Sequence, residues 1–189
     1  MRWFISDHHF GHKNIIKYCS RPFKSVEEMD AYMIAKWNGV VKPDDEVFYV
    51  GDFSFHCTGR TEEIARSLNG FKHLIVGNHD ERRSKQYWRK LFVTVQDDMK
   101  LLMEGVGRFV YLTHYPVYGH RQPQIVIHGH SHNYRPLLTT YTTTKQLLFN
   151  VSVENVEFTP LSEIKILNVI EQHEKFLAGE QDETASDSV

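Results

Sequence analysis

Five short polar clusters recur along the chain: Asp7-His8-His9-Phe10-Gly11-His12, Gly51-Asp52, Gly77-Asn78-His79-Asp80, Thr113-His114-Tyr115-Pro116 and His128-Gly129-His130-Ser131-His132. Their donors are Asp, Asn and His without Cys. Such a set suits a borderline-hard divalent cation, Mn, Fe, Co, Ni or Zn, whereas calcium prefers an all-oxygen shell. Asp7 and His9 stand two residues apart, as do His130 and His132, so at the end of an extended segment both members of each pair can face one side. Glycines 11, 51, 77 and 129 allow the tight turns and close backbone approach that loops around a metal require. Any single cluster is commonplace. The five in order read as one two-metal site.

The elements that must position these side chains are visible just before them. Apolar runs at Arg2 to Ser6, Glu46 to Val50, Phe71 to Val76, Arg108 to Thr113 and Gln124 to Ile127 are short and rich in β-branched and aromatic residues, as buried strands are. Where crossover helices connect strands, ligands collect beyond the strands' carboxyl ends. Ser25-Val26-Glu27-Glu28 is a capping box, with Val26, Met29, Met33 and Trp37 at helical spacing and Gly39 as the stop. Thr61 is expected to cap a second helix ending at Asn69-Gly70, and Ser84 a third running through Lys90. Residues 98–103 and 108–113 read as a hairpin, 145–153 as a strand beside a Thr-rich loop at 139–144, and Ser162 to about Phe176 as the last helix. The reading is α/β, one domain over residues 1–178, with an acidic tail at 179–189 expected to be disordered.

At 189 residues, 41% hydrophobic and 24% charged, the chain can bury a substantial core and falls in none of the disordered, collagenous or membrane classes. Its net charge of −2 gives no general support for a duplex nucleic-acid binder. No apolar run approaches the ~20 residues of a membrane helix, and the first strand starts beside Met1, so no signal peptide and a cytoplasmic location are expected. Two cysteines, Cys19 and Cys57, without paired spacing, predict reduced thiols.

The ordered motifs Asp-x-His-x-Gly, Gly-Asp, Gly-Asn-His-Asp, a His after a strand and Gly-His-x-His span Asp7 to His132. In these the chain resembles a small member of the calcineurin-like metallophosphoesterase superfamily, and Phe10 to Ile16 is similar to compact bacterial and phage members. The resemblance implies a four-layer αββα sandwich and two divalent ions, manganese above Fe, Zn, Ni or Co. It implies Asp7, His9, Asp52 and His132 around one ion and Asp52, Asn78, His114 and His130 around the other, Asp52 bridging. A hydroxide shared by the ions would attack phosphorus in line, His79 would protonate the leaving oxygen, and Asp80 would orient that imidazole.

Departures from the superfamily's protein phosphatases narrow the activity. Gly51-Asp52 is followed by Phe53-Ser54 and not Arg-Gly, and Val76 precedes Gly77 where those enzymes carry Arg. With these two phosphate clamps missing, a phosphodiester, carrying one negative charge, is favoured over a dianionic monoester. Arg82 or Arg83 could replace them. His12, His56, Tyr115 and Tyr118 are further candidate substrate contacts. The alternatives are a phosphomonoesterase at the same site, a nuclease on single strands, and a catalytically silent protein-binding scaffold. No membrane association and no obligate protein partner are expected.

Overall fold

Trp3-Phe4-Ile5 presents no polar side to solvent, so the first strand, β1 (Arg2–Ile5), must be covered on both faces. Phe4 and Ile5 are fully buried. The computed structural model describes residues 1–119, 123–141 and 143–178; the predicted acidic tail lies outside them. Strand β1 pairs in parallel with β2 (Glu46–Tyr49), β2 with β3 (Phe71–Ile75), and β3 with β4 (Thr94–Gln96). On its other edge it pairs antiparallel with β10 (Leu161–Ser162), giving the order β10-β1-β2-β3-β4.

Parallel neighbours need crossovers, which α1 (Lys13–Tyr18), α2 (Val26–Val40), α3 (Thr58–Ser67) and α4 (Lys85–Trp88) supply. Ser25 caps α2 by accepting the Glu28 N–H at 3.2 Å. The helix then buries Met29, Met33 and Trp37, each such side chain contributing about 1.5–3 kcal/mol of transfer free energy.

The second sheet begins with β5 (Asp98–Met103) and β6 (Arg108–Thr113), an antiparallel pair closed through Gly107 at φ +61°. Strand β6 runs parallel to β7 (Ile125–His128), and β7 to β9 (Gln146–Asn150). Strand β8 (Leu138–Tyr141) completes the order β5-β6-β7-β9-β8. The final helix, α5 (Glu163–Ala178), buries Ile166 and Ile170. One core joins the two sheets: Phe4, Phe48 and Leu74 from the first cluster with Leu112, Ile127 and Phe149 from the second. The protein is thus mixed α/β with two mixed five-stranded sheets. No helix among the described residues is long and apolar enough to cross a membrane.

Several expected boundaries shift. Helix α2 continues through Gly39 to Val40, because a lone glycine costs a helix only about 1 kcal/mol and Trp37 is anchored by its indole N–H on the Asn69 carbonyl at 3.0 Å. Helix α3 starts at Thr58, so Thr61 does not cap it; its buried hydroxyl instead lies 3.0 Å from that of Ser54. Helix α4 stops at Trp88, short of Lys90. Part of the expected Thr-rich loop is strand β8, where β-branched threonines suit a pleated edge.

Candidate metal centre

The polar clusters follow strands β1, β2, β3, β6 and β7, and the backbone there is unusual. Asp7, His9, Asp52, His130 and His132 all have φ between +44° and +66°, the left-handed region that non-glycine residues occupy only when surrounding contacts enforce it. Those contacts are explicit. Asp7 and His9 donate their N–H groups to Gly51 and Asp52 carbonyls at 2.9 and 3.1 Å, laying the first cluster along the loop after β2. Ser6 exchanges hydrogen bonds with Val151 and Val153, joining the two sheets beside Asp7. The Asp7 carboxylate then accepts from the His130 N–H at 3.0 Å and the Ser152 hydroxyl at 2.9 Å. A side chain on Gly77 or Gly129 would place its Cβ within 2.3 Å of Asp52 Oδ1 or 2.5 Å of Asp7 Oδ2, so only glycine permits the approach.

The seven expected ligands come together. His9 Nε2 lies 3.4 Å from Asp52 Oδ2 and 3.8 Å from Asp7 Oδ1; His132 Nε2 lies 3.8 Å from the same Asp7 oxygen. On the other side His114 Nε2 is 3.5 Å from Asp52 Oδ2 and 3.1 Å from Asn78 Oδ1, and His130 Nδ1 is 3.2 Å from Asn78 Oδ1. Ligand atoms of Asp7, His9 and His132 all lie within 4.8 Å of one another, as do those of Asp7, Asp52 and His114.

His9 tests whether this donor set fits a cation. It is 2% exposed, and neither of its ring nitrogens has a hydrogen-bond partner among the described residues. Burying an imidazole unsatisfied is costly, and a cation among the neighbouring carboxylates would satisfy it. The tautomers agree. His114 Nδ1 lies 2.9 Å from the Val50 carbonyl and His132 Nδ1 lies 3.1 Å from Glu154. Donating there leaves each Nε2 lone pair for the centre.

Burial drives the His9 imidazole well below its ordinary pKa, with the neighbouring His132 acting in the same direction. Burial also opposes charge on His114 and His132, but carboxylates win. The hydrogen bond to Asp52 and the charge of Asp7 raise His114 to about 9, while contacts with Cys19 and Glu154 and the Asp7 charge raise His132 to about 10. At neutral pH the metal-free site therefore holds protons on both, and a cation must displace them. Manganese uptake at pH 7 should release about two protons per chain, and affinity should rise with pH toward those values. Calorimetric titrations in two buffers of different ionisation enthalpy read this directly; heats independent of the buffer would contradict it.

Sequence reasoning missed two residues that support the site. Arg21, with no exposed side-chain surface, pairs with buried Glu154 at 2.7 Å and donates to the His8 and Asp7 carbonyls, each at 2.7 Å. Glu154 in turn holds His132. Its position after the last predicted strand was the available signal; Arg21 has none. His8 turns from the centre onto the Tyr49 hydroxyl at 2.9 Å.

Asp80 does not act as expected. Its carboxylate accepts the backbone N–H groups of Asp52, Phe53 and Gly77 at 2.8 to 2.9 Å, clamping two ligand loops together, and no hydrogen bond joins it to His79 among the described residues. Burial, with the Asp52 charge adding, pushes its carboxyl up to about 6.

His56 and Arg83 are also committed elsewhere. His56 Nε2 lies 2.6 Å from Asp30 on α2, and Arg83 donates to the Ser54 and His56 carbonyls and packs near Tyr87 and Trp88. His12 and Tyr115 stay beside the donors, with ring centroids 5.6 Å from His9 and 4.5 Å from His130. Tyr118 is exposed and stacks at 6.1 Å on Tyr141.

The fold and cluster define an α/β protein whose buried His, Asp and Glu groups could hold metal ions. No family model matches the chain. It is 34% identical over 172 residues to the uncharacterized protein MJ1445 of Methanocaldococcus jannaschii, covering 90% of this chain and 91% of that protein. To the gene 66 protein of Mycobacterium phage L5 it is 31% identical over 164 residues, covering 69% and 77%. The crystal structure of the protein of unknown function AQ665 from Aquifex aeolicus superposes with a TM-score of 0.70 at 25% identity, covering 89% of this chain and 98% of that one. The chain belongs to the same family as MJ1445.

Proposed function

We propose that this chain is a dinuclear metal-dependent phosphoesterase of the calcineurin-like type, folded as a four-layer αββα sandwich, and that it hydrolyses a small or nucleotide-derived phosphodiester. The observation that carries the reading is the convergence of seven donor side chains from five strand ends, among them a buried His9 with neither ring nitrogen satisfied among the described residues. Asp7, His9, Asp52 and His132 would hold one ion and Asp52, Asn78, His114 and His130 the other.

Bound there, divalent cations would lower the pKa of water and neutralise phosphoryl oxygens. The chain's own contributions are positional. Asp52 Oδ1 accepts the His79 N–H at 2.9 Å, and the ring of His79, one-third exposed, stands at the edge of the donor cluster, where it can pass a proton to a leaving oxygen. Asp80 keeps the loops bearing Asp52 and His79 in register. With Arg83 turned inward, one of the two candidate replacements for the missing clamps is gone, which favours the diester.

Manganese-supplemented protein should cleave bis-p-nitrophenyl phosphate faster than p-nitrophenyl phosphate, and a chelated sample should cleave neither. A preference for the monoester would move the assignment to a phosphomonoesterase, and silence on both would sink the enzyme reading.

A further inference from the structure

We infer that Arg82, laid against the ring of Phe55, is the guanidinium that receives the non-bridging phosphoryl oxygens of the substrate, and that its neighbour Arg83 is structural. The naming of a phosphate ester rests on the phosphoesterase reading above; the placement of the cation does not.

Arg82 is the last residue of a 3₁₀ turn, Asp80–Arg82, that begins directly after His79, and Arg83 follows it in extended backbone at φ −125°, ψ 149°. The change from helical to extended backbone between them sends the two side chains in different directions. Arg83 goes inward, its guanidinium occupied by the Ser54 and His56 carbonyls and by the Thr61 hydroxyl at 3.4 Å. Arg82 is exposed and makes no hydrogen bond or ion pair among the described residues. Its guanidinium carbon stands 4.4 Å from the centroid of Phe55.

Phe55 is the shared backing of the site's mouth. Its ring lies 5.3 Å from His9, 4.8 Å from His79 and 4.1 Å from His12, the last pair within 8° of coplanar. A guanidinium held against an aromatic ring keeps its in-plane N–H donors available, and planar forks match phosphoryl oxygens. Phe55 therefore fixes a cation with free donors beside both a ligand histidine and the proposed proton donor. A single fork suits the one negative charge of a diester, so Arg82 should act on substrate binding and not on the chemical step.

The test uses the full-length, manganese-loaded protein and two readouts: calorimetric binding of inorganic phosphate, and kinetics on bis-p-nitrophenyl phosphate. Arg82→Ala should weaken phosphate binding and raise KM by about tenfold or more, the scale of a charged hydrogen bond, with kcat nearly unchanged. Arg82→Lys should recover only part, because the flat fork is lost. Arg83→Ala should lower the melting temperature and leave phosphate affinity alone.

Unchanged phosphate affinity in Arg82→Ala would overturn the inference, as would an equal loss in Arg83→Ala with the fold intact, or no phosphate binding by the unsubstituted protein. Arg82-dependent phosphate binding without hydrolysis of either ester would uphold the anion site and remove the enzyme reading. Hydrolysis indifferent to Arg82 would do the reverse.

Discussion

His79→Ala will bind as much manganese as the unsubstituted protein and hydrolyse bis-p-nitrophenyl phosphate about 100- to 10,000-fold more slowly, the usual range for losing a general acid. Exposure separates this histidine from His9 and His114, though not from His130, which is itself exposed. His9 and His114 are 2% and 1% exposed, whereas the His79 side chain is 33% exposed and its Nε2 stands 3.9 Å from Asp52 Oδ2. A group that meets a leaving oxygen must be reachable from solvent, and a ligand need not be. His79 Nε2 does fall within reach of His9 and Asp52 donors, so metal content has to be measured alongside the rate. A variant that loses manganese together with activity would make His79 a ligand, and one with ordinary turnover would remove it from the mechanism.

Glu154→Ala will destabilise the metal-free protein by about 3–5 kcal/mol, the scale of breaking a buried ion pair from one side. The substitution strands the Arg21 guanidinium, whose side chain has no exposed surface, and takes from His132 its Nδ1 partner. Urea midpoints compared at constant m-value read the loss, and coincident midpoints would refute it.

The same carboxylate sets a pH dependence. Burial works against its charge, but the hydrogen bond from His132 and the Arg21 cation hold it at about 2, below its ordinary 4.5. A depressed folded-state value stabilises the protein fully above the ordinary one, and that stabilisation is lost as pH falls from about 4.5 toward 2. Glu154→Ala should lack this part of the acid transition. Metal affinity should also fall by about 10- to 100-fold, as for other groups that orient a ligand.

Residues with fixed chemistry at strand ends were legible from the sequence because two independent patterns coincided there: an apolar run, then a donor cluster. Asp7, His9, Asp52, Asn78, His114, His130 and His132 all emerge that way. Strands β4 and β10 escaped notice because three and two residues are too few for periodicity to show. Pairing with β9 decides that β8 is a strand, and pairing is a property of the sheet. Arg82 and Arg83 are identical in type and adjacent in sequence, so only the end of the 3₁₀ turn, which leaves Arg83 in extended backbone, separates a surface cation from an internal brace. Asp80 carries a motif position yet acts through three backbone amides, contacts that side-chain identity does not encode. Arg21 is 133 residues from its partner Glu154, and their ion pair exists only once both sheets are assembled.

The left-handed backbone at Asp7, His9, Asp52, His130 and His132 sets what this lineage gains and loses by substitution. Each L-residue held there carries strain on the order of 1–2 kcal/mol that glycine would not. Replacing a candidate ligand by glycine relieves that strain while deleting the donor, so at these positions relief of strain and the capacity to hold a cation act in opposite directions. A relative that did not bind a metal would be freer to drift toward glycine where the side chain makes no other bond, as at His9. Asp or His persisting at all five against that pull in relatives would be the mark of selection for a bound cation.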